Sequence, residues 1–207
     1  DPIPPENEMW ADGKHVVIVG GGDTGSDCVG TSVRQGADSI TQLEILPQPP
    51  AERDPSTPWP EWPLQLRTST SHQEGGTRHW SVLTKEVVGD DAGHVRALSI
   101  VEAVWEKDPG TGRMQCSEKP GSEREIRADL VLLAMGFTRE GNAGILKDFG
   151  VAVREDLTAR LDDNFMTSQP GVFVAGDLST GPSLVVRAIA DGRIAAEGIN
   201  KYLEKRK

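Results

Sequence analysis

The chain has 207 residues, 36% of them hydrophobic and 26% charged, with a formal net charge of −10. That length can bury one medium core or two small ones, and the charge has the wrong sign for a phosphate backbone, so no nucleic-acid partner is expected. Two cysteines, Cys28 and Cys116, are too few for a disulfide framework or a multi-thiolate iron–sulfur or metal site, and both are expected to be reduced and buried.

No apolar run approaches the roughly 20 residues of a membrane span. The first residues, Asp1-Pro-Ile-Pro-Pro, carry neither an initiator Met nor a secretory core. A cytoplasmic fragment or processed product with no membrane partner is expected.

After an acidic, proline-rich lead-in (residues 1–13), Lys14-His-Val-Val-Ile-Val-Gly20 is a β-branched apolar run, the pattern of a parallel strand covered on both faces. Thr24 to Gln35 reads as a helix that Gly36 stops, and Ser39 to Leu46 as a second strand, completing a βαβ unit. Residues 47–63 hold seven prolines and two tryptophans, too many prolines for a ladder or a helix. An ordered surface loop is expected there, with Trp59 and Trp62 packed onto the domain.

Trp80 to Val88 and His94 to Trp105, joined through Gly89-Asp-Asp-Ala-Gly93, give a hairpin signal. Asp108-Pro-Gly-Thr-Gly112 is a second turn, and Arg113 to Ile126 continues an antiparallel meander. Leu130 to Ala134 then returns to the parallel sheet. Gly150 to Arg154 and Leu157 to Leu161 look like short edge strands, and Gly171 to Gly176 like a buried one. Ser183 to Glu204 reads as one long helix with apolar faces from Leu184, Ile189, Ile194 and Ala195. The fold class is α/β: a Rossmann-like domain with an antiparallel meander over residues 1–136, and a further domain over 137–207.

The first βαβ unit carries Gly20-Gly21-Gly22-Asp23-Thr24-Gly25, a G-x-G-x-x-G sequence directly after a strand and opening a helix. Gly20 permits the tight turn, Gly22 leaves room for a pyrophosphate, and Gly25 lets helix and strand approach. The helix-start N–H groups then face the phosphates. A glycine-rich turn without a ligand is the alternative, and the flanking strand–helix–strand order argues against it. Glu44 lies about 20 residues after the last glycine, where an acid takes the ribose hydroxyls of NAD, and Ile45 and Leu46 stand where a 2′-phosphate reader would want Arg. NADH is expected over NADPH, with Arg53 able to weaken that preference.

Gly176-Asp177 and Ser183-Leu184-Val185 at the next helix start suit the ribityl chain and pyrimidine edge of a flavin. Gly136 ends a strand where two nucleotide domains would cross. His72, His79 and His94 are read as surface-loop histidines.

Together Gly20 to Arg34, Leu43-Glu-Ile-Leu-Pro47, Pro58-Trp-Pro-Glu-Trp-Pro63, Leu130 to Phe137, Gly176-Asp177 and Ser183-Leu-Val-Val186 resemble the glutamate synthase small (β) subunit over nearly the whole chain. The resemblance implies a nicotinamide domain inserted into a discontinuous FAD domain, of which residues 137–207 are the C-terminal portion. It implies the dinucleotide at Gly20, Gly22, Asp23, Thr24 and Gly25, FAD at Gly176 and Asp177, and the isoalloxazine edge at Ser183, Leu184 and Val185.

It further implies electron input from NADH (or NADPH) through FAD to a large (α) subunit that makes glutamate from glutamine and 2-oxoglutarate. No catalytic side chain and no metal ligand is expected in this portion. Iron–sulfur clusters are expected only in the missing N-terminal half or the partner. The loop Leu178-Ser-Thr-Gly-Pro182 departs from the family's usual basic sequence. Three other readings stay open: a related pyrimidine-reducing or ferredoxin-linked FAD/NAD(P)H oxidoreductase, an isolated dinucleotide-binding module, and a structural interaction domain.

Overall fold

The computed structural model describes residues 8–137 and 144–206. The proline-rich lead-in is therefore described only from Glu8; its first seven residues lie outside the described ones. The chain divides into two compact units, one ending at Gly136 and the other beginning at Phe137.

In the first unit, strand β1 (His15–Val19), helix α1 (Asp23–Arg34) and strand β2 (Ser39–Leu43) make the βαβ element. Strand β3 (Thr77–His79) pairs in parallel outside β2, and β8 (Leu130–Leu133) pairs in parallel with β1, giving the order β3-β2-β1-β8. Side chains alternate between the faces of a strand, so the unbroken apolar run of β1 is explained by two covers. Val16 and Ile18 enter one core with Val29 of α1 and Ile40, whereas Val17 enters another with Leu43, Leu98 and Ile100. Each such side chain, fully buried, contributes about 1.5–3 kcal/mol.

The second cover is antiparallel. Strand β4 (Val82–Gly89) pairs with the 13-residue β5 (Val95–Lys107), and β6 (Met114–Glu118) and β7 (Arg124–Arg127) pair with successive stretches of β5. The Asp90 carboxylate shapes the first turn by accepting N–H bonds from Ala92 (2.9 Å) and His94 (2.8 Å). Those bonds, chiefly that of His94, hold its pKa below the ordinary carboxylate value.

Three expectations for this unit are corrected. Trp59 and Trp62 are not packed onto the domain but are 84% and 78% exposed, because the proline-rich segment turns back on itself through Asp54 N–H to Leu64 C=O (2.9 Å). Cys116 sits on the exposed strand β6 and Cys28 is only half-buried. Helix α2 (Thr70–Gln73), closed by a reciprocal Ser69–His72 cap, and β3 fill a stretch for which the sequence offered no element.

The second unit holds α3 (Ile145–Asp148), α4 (Asp177–Thr180) and the 20-residue α5 (Val185–Glu204) around a small core of Leu146, Val151 and Ala159. The strands expected at 150–154, 157–161 and 171–176 are single bridges instead: Val153↔Ala159, Leu161↔Thr167 and Met166↔Phe173. Among the described residues of this unit no long strand lies beside them, and a ladder needs a neighbour. Ala195 and Gly198 seat α5, with Gly198 so close to the Asn164 carbonyl that a Cβ would collide. The Phe173 and Tyr202 rings meet edge to face at 5.8 Å.

Candidate functional site

The turn between β1 and α1 is built by its glycines, each for a different reason. Gly20 adopts φ 124°, a region disfavoured for side-chain-bearing residues, and a Cβ there would strike the Ala134 carbonyl at the end of β8. A Cβ on Gly25 would strike the Gly20 carbonyl and the Gln42 amide, so the helix lies directly on the strand end. Gly22 is the opposite case. It is the N-cap of α1 with ordinary extended backbone (φ −78°), and nothing lies within 4 Å of where its Cβ would stand. The space above the helix start is open.

The first helical bond runs from Ser26 N–H to Gly22 C=O (3.0 Å), and no side chain caps the helix. By helix geometry the amides of Asp23, Thr24 and Gly25 therefore have no intrahelical acceptor, and the Asp23 carboxylate is the acidic group in the first turn at the positive end of the helix dipole. A cavity of about 440 Å³ opens there, with Gly20, Gly21, Gly22, Glu44 and Gly136 in its wall. The Glu44 side chain lies over Gly21, and one of its oxygens accepts the Leu46 N–H (3.0 Å). A polyanion with hydroxyls beside it fits this arrangement: amides and dipole for a diphosphate, a carboxylate for a ribose.

Behind the turn is a network that sequence reading missed. Gln42 is 2% exposed in β2, between Thr41 and the buried Leu43; its amide donates to the Gly20 carbonyl (2.8 Å), and its carbonyl oxygen lies 2.8 Å from His72 Nε2. Those roles make His72 the neutral tautomer with the proton on Nε2, leaving Nδ1 to accept the Ser69 N–H (3.4 Å). Burial first, then the nearby Arg78 guanidinium, lowers the His72 pKa. Ser69 in turn hydrogen-bonds Ser26 of α1. The surface-loop reading is therefore wrong for His72 and for half-buried His79 on β3, and right for exposed His94. A polar Gln inside β2 was the signal available.

Gly176, Asp177, Ser183, Leu184 and Val185 all lie in the second unit. Gly176 (φ 67°) precedes α4, Asp177 is exposed in its first turn, and Leu184 is the N-cap of α5 without a side-chain cap. Ser183, Leu184 and Val185 are exposed at a helix start whose first amides are free by geometry. Free amides at a helix start can donate to an electron-rich ring edge, the contact expected here for a flavin. The chain contains no second G-x-G-x-x-G to cradle the pyrophosphate of that same cofactor. Among the described residues no group of three His, Cys, Asp or Glu side chains could hold a metal, and no helix is long and apolar enough to cross a membrane.

The family model of the pyridine nucleotide-disulphide oxidoreductases matches residues 82–192, more than half of the chain. The chain belongs to this family. Among relatives of this chain, "Glutamate synthase [NADPH] small chain" of Mycobacterium tuberculosis is 51% identical over 195 residues, covering 94% of this chain and 38% of that protein. "Glutamate synthase [NADH]" of Saccharomyces cerevisiae is 41% identical over 202 residues, 92% of this chain and 9% of that protein. The chain thus spans well under half the length of the curated relatives it matches. Among solved structures, T. acidophilum thioredoxin reductase superposes with TM-score 0.56 at 24% identity, over 95% of this chain and 54% of that one. That likeness shows the shared fold: a thioredoxin-reductase-like α/β architecture with one parallel and one antiparallel sheet.

Proposed function

We propose that the protein is the electron-input part of a glutamate synthase, binding NAD(P)H in its first unit and presenting part of an FAD site in its second. The observation that carries this reading is the open space at Gly22, above bare helix amides, in a cavity that also holds Glu44. The names of two relatives, a glutamate synthase small chain with NADPH and a glutamate synthase with NADH, support a nicotinamide donor and a glutamate product. In this reading the electrons reach a large subunit that forms glutamate from glutamine and 2-oxoglutarate.

Residues 1–136 act as the nicotinamide domain and residues 137–207 as the C-terminal portion of the FAD domain. The amides of Asp23, Thr24 and Gly25 hold the diphosphate, Gly20, Gly21 and Gly22 give it access, and Gly136 borders the nicotinamide side. Glu44 takes the ribose hydroxyls and is the element that favours NADH. Asp177 accepts from a ribityl hydroxyl beside Gly176, and Ser183, Leu184 and Val185 line the isoalloxazine edge.

When bound, the two cofactors supply hydride and electron chemistry. The protein's task is to stack and orient them, so no side chain is assigned an acid–base role. Iron–sulfur clusters and the large subunit lie outside this chain, and the compartment is the cytoplasm.

The test combines the complete protein carrying this chain with a glutamate synthase large subunit. NAD(P)H oxidation that depends on both glutamine and 2-oxoglutarate is expected. Oxidation indifferent to both, but sustained by a pyrimidine or ferredoxin, would transfer the protein to a related oxidoreductase class.

A further inference from the structure

A second cavity of about 590 Å³ adjoins the first, sharing Gly21 and Glu44 with it and extending beneath the proline-rich segment to Trp62, Arg67, Arg78 and Trp80. Its charged lining is one carboxylate, Glu44, against two guanidiniums, a net positive lining in a chain of net charge −10. Neither guanidinium is within 4.0 Å of a carboxylate among the described residues, although six other ion pairs are formed.

Both are nevertheless fixed. The Arg67 guanidinium lies 4.1 Å from the centroid of the Trp62 ring and that of Arg78 5.1 Å from the Trp80 ring, contacts that hold a cation without neutralising it. Arg78 also donates to the Arg67 carbonyl (2.8 Å) and to Thr68 Oγ1 (2.9 Å), tying β3 to the loop. Two preorganised, unneutralised guanidiniums beside an exposed indole suit a phosphorylated nucleoside. A guanidinium matches a phosphate's geometry, and the Trp62 face can take a base.

We propose that this cavity seats the adenosine end of the dinucleotide and that Arg67 and Arg78 bind a 2′-phosphate there. The protein then accepts NADPH through a loop and an edge strand, while Ile45 and Leu46 at the end of β2 carry no charge. The inference rests on the dinucleotide reading above. It refines the preference for NADH that Glu44 alone would give: one Glu44 oxygen is occupied by the Leu46 N–H, and two cations outweigh its single negative charge.

The test is a calorimetric titration of the protein with 2′,5′-ADP and with 5′-ADP, which requires neither flavin nor turnover. The two ligands differ only in the 2′-phosphate. Tighter binding of 2′,5′-ADP by at least about tenfold is expected, an increment of about 1.4 kcal/mol. Added salt should erode that difference. In Arg67→Gln, which removes the guanidinium stacked on the Trp62 ring, the two affinities should converge to within about twofold while 5′-ADP, which has no 2′-phosphate, still binds. Equal binding of both ligands by the parent protein, or an Arg67→Gln variant that retains the difference, overturns the 2′-phosphate subsite and leaves the dinucleotide site standing. Failure of both ligands to bind overturns the dinucleotide reading itself.

Discussion

Gln42 carries more of the site than its position suggests, because it is the link through which the loop following β2 holds the glycine turn. Gln42→Leu leaves the Gly20 carbonyl and the His72 Nε2–H without their partner, at a cost of about 1–3 kcal/mol measurable by urea unfolding. His72 adds a pH signature. Its pKa is lowered on folding, so the unfolded chain binds the proton more readily. Stability is full above the ordinary histidine value of about 6.5 and falls as the pH drops through the window below it. Thermal unfolding between neutral and mildly acidic pH should show that loss, and His72→Gln should flatten it; a parent protein no less stable in acid would contradict the assignment. Glu44→Gln should weaken NADH and favour NADPH when the two Kd values are compared, since a carboxylate holds ribose hydroxyls and repels a 2′-phosphate. Unchanged affinities would remove Glu44 from the site. At this scale Gly20 and Gly25 were legible because a positive φ and a close approach each demand a glycine, and Gly22 because it completes their spacing. Arg67, Arg78 and Gln42 were not, since their roles arise only when a loop folds over the strand ends.

The elements that were legible are those whose pattern follows from two covered faces or from a tight turn. β1, α1, β2, the β4–β5 hairpin and β8 all announce themselves by apolar period or by Gly and Asp at the turns. α2 and β3 do not, because Thr77-Arg-His79 is a short polar edge strand formed by pairing with Thr41, Gln42 and Leu43. The converse failure is Gly171 to Gly176, whose apolar run has strand character but finds one bridge for a neighbour. β5 is the element on which the first unit most depends, since Leu98 and Ile100 cover the sheet face opposite α1. Leu98 is fully buried, and Leu98→Ala should cost about 2–5 kcal/mol in chemical unfolding. A cost under about 1 kcal/mol would mean that the meander is a loosely attached arm.

For the molecule as a whole, the asymmetry between the units is what matters. The first has two cores, a glycine cradle and two adjoining cavities; the second has one small core and a long helix whose first turns expose Leu184, Val185 and Val186. Titrated separately, NAD(P)H should bind saturably and FAD far more weakly, because one glycine fingerprint serves one diphosphate. Equal affinity for both would require a second cradle that the chain lacks. The central claim, that a diphosphate sits above Gly22, is tested most directly by Gly22→Asp. Nothing crowds that position, its backbone suits any residue, and Asp is itself a favoured N-cap, so helix and fold should be unchanged or steadier by thermal unfolding. The account predicts that NADH and NADPH both lose affinity in that variant by roughly tenfold or more, about 1.4 kcal/mol, as a carboxylate enters the phosphate space. A folded Gly22→Asp protein that binds both dinucleotides as the parent does would contradict it.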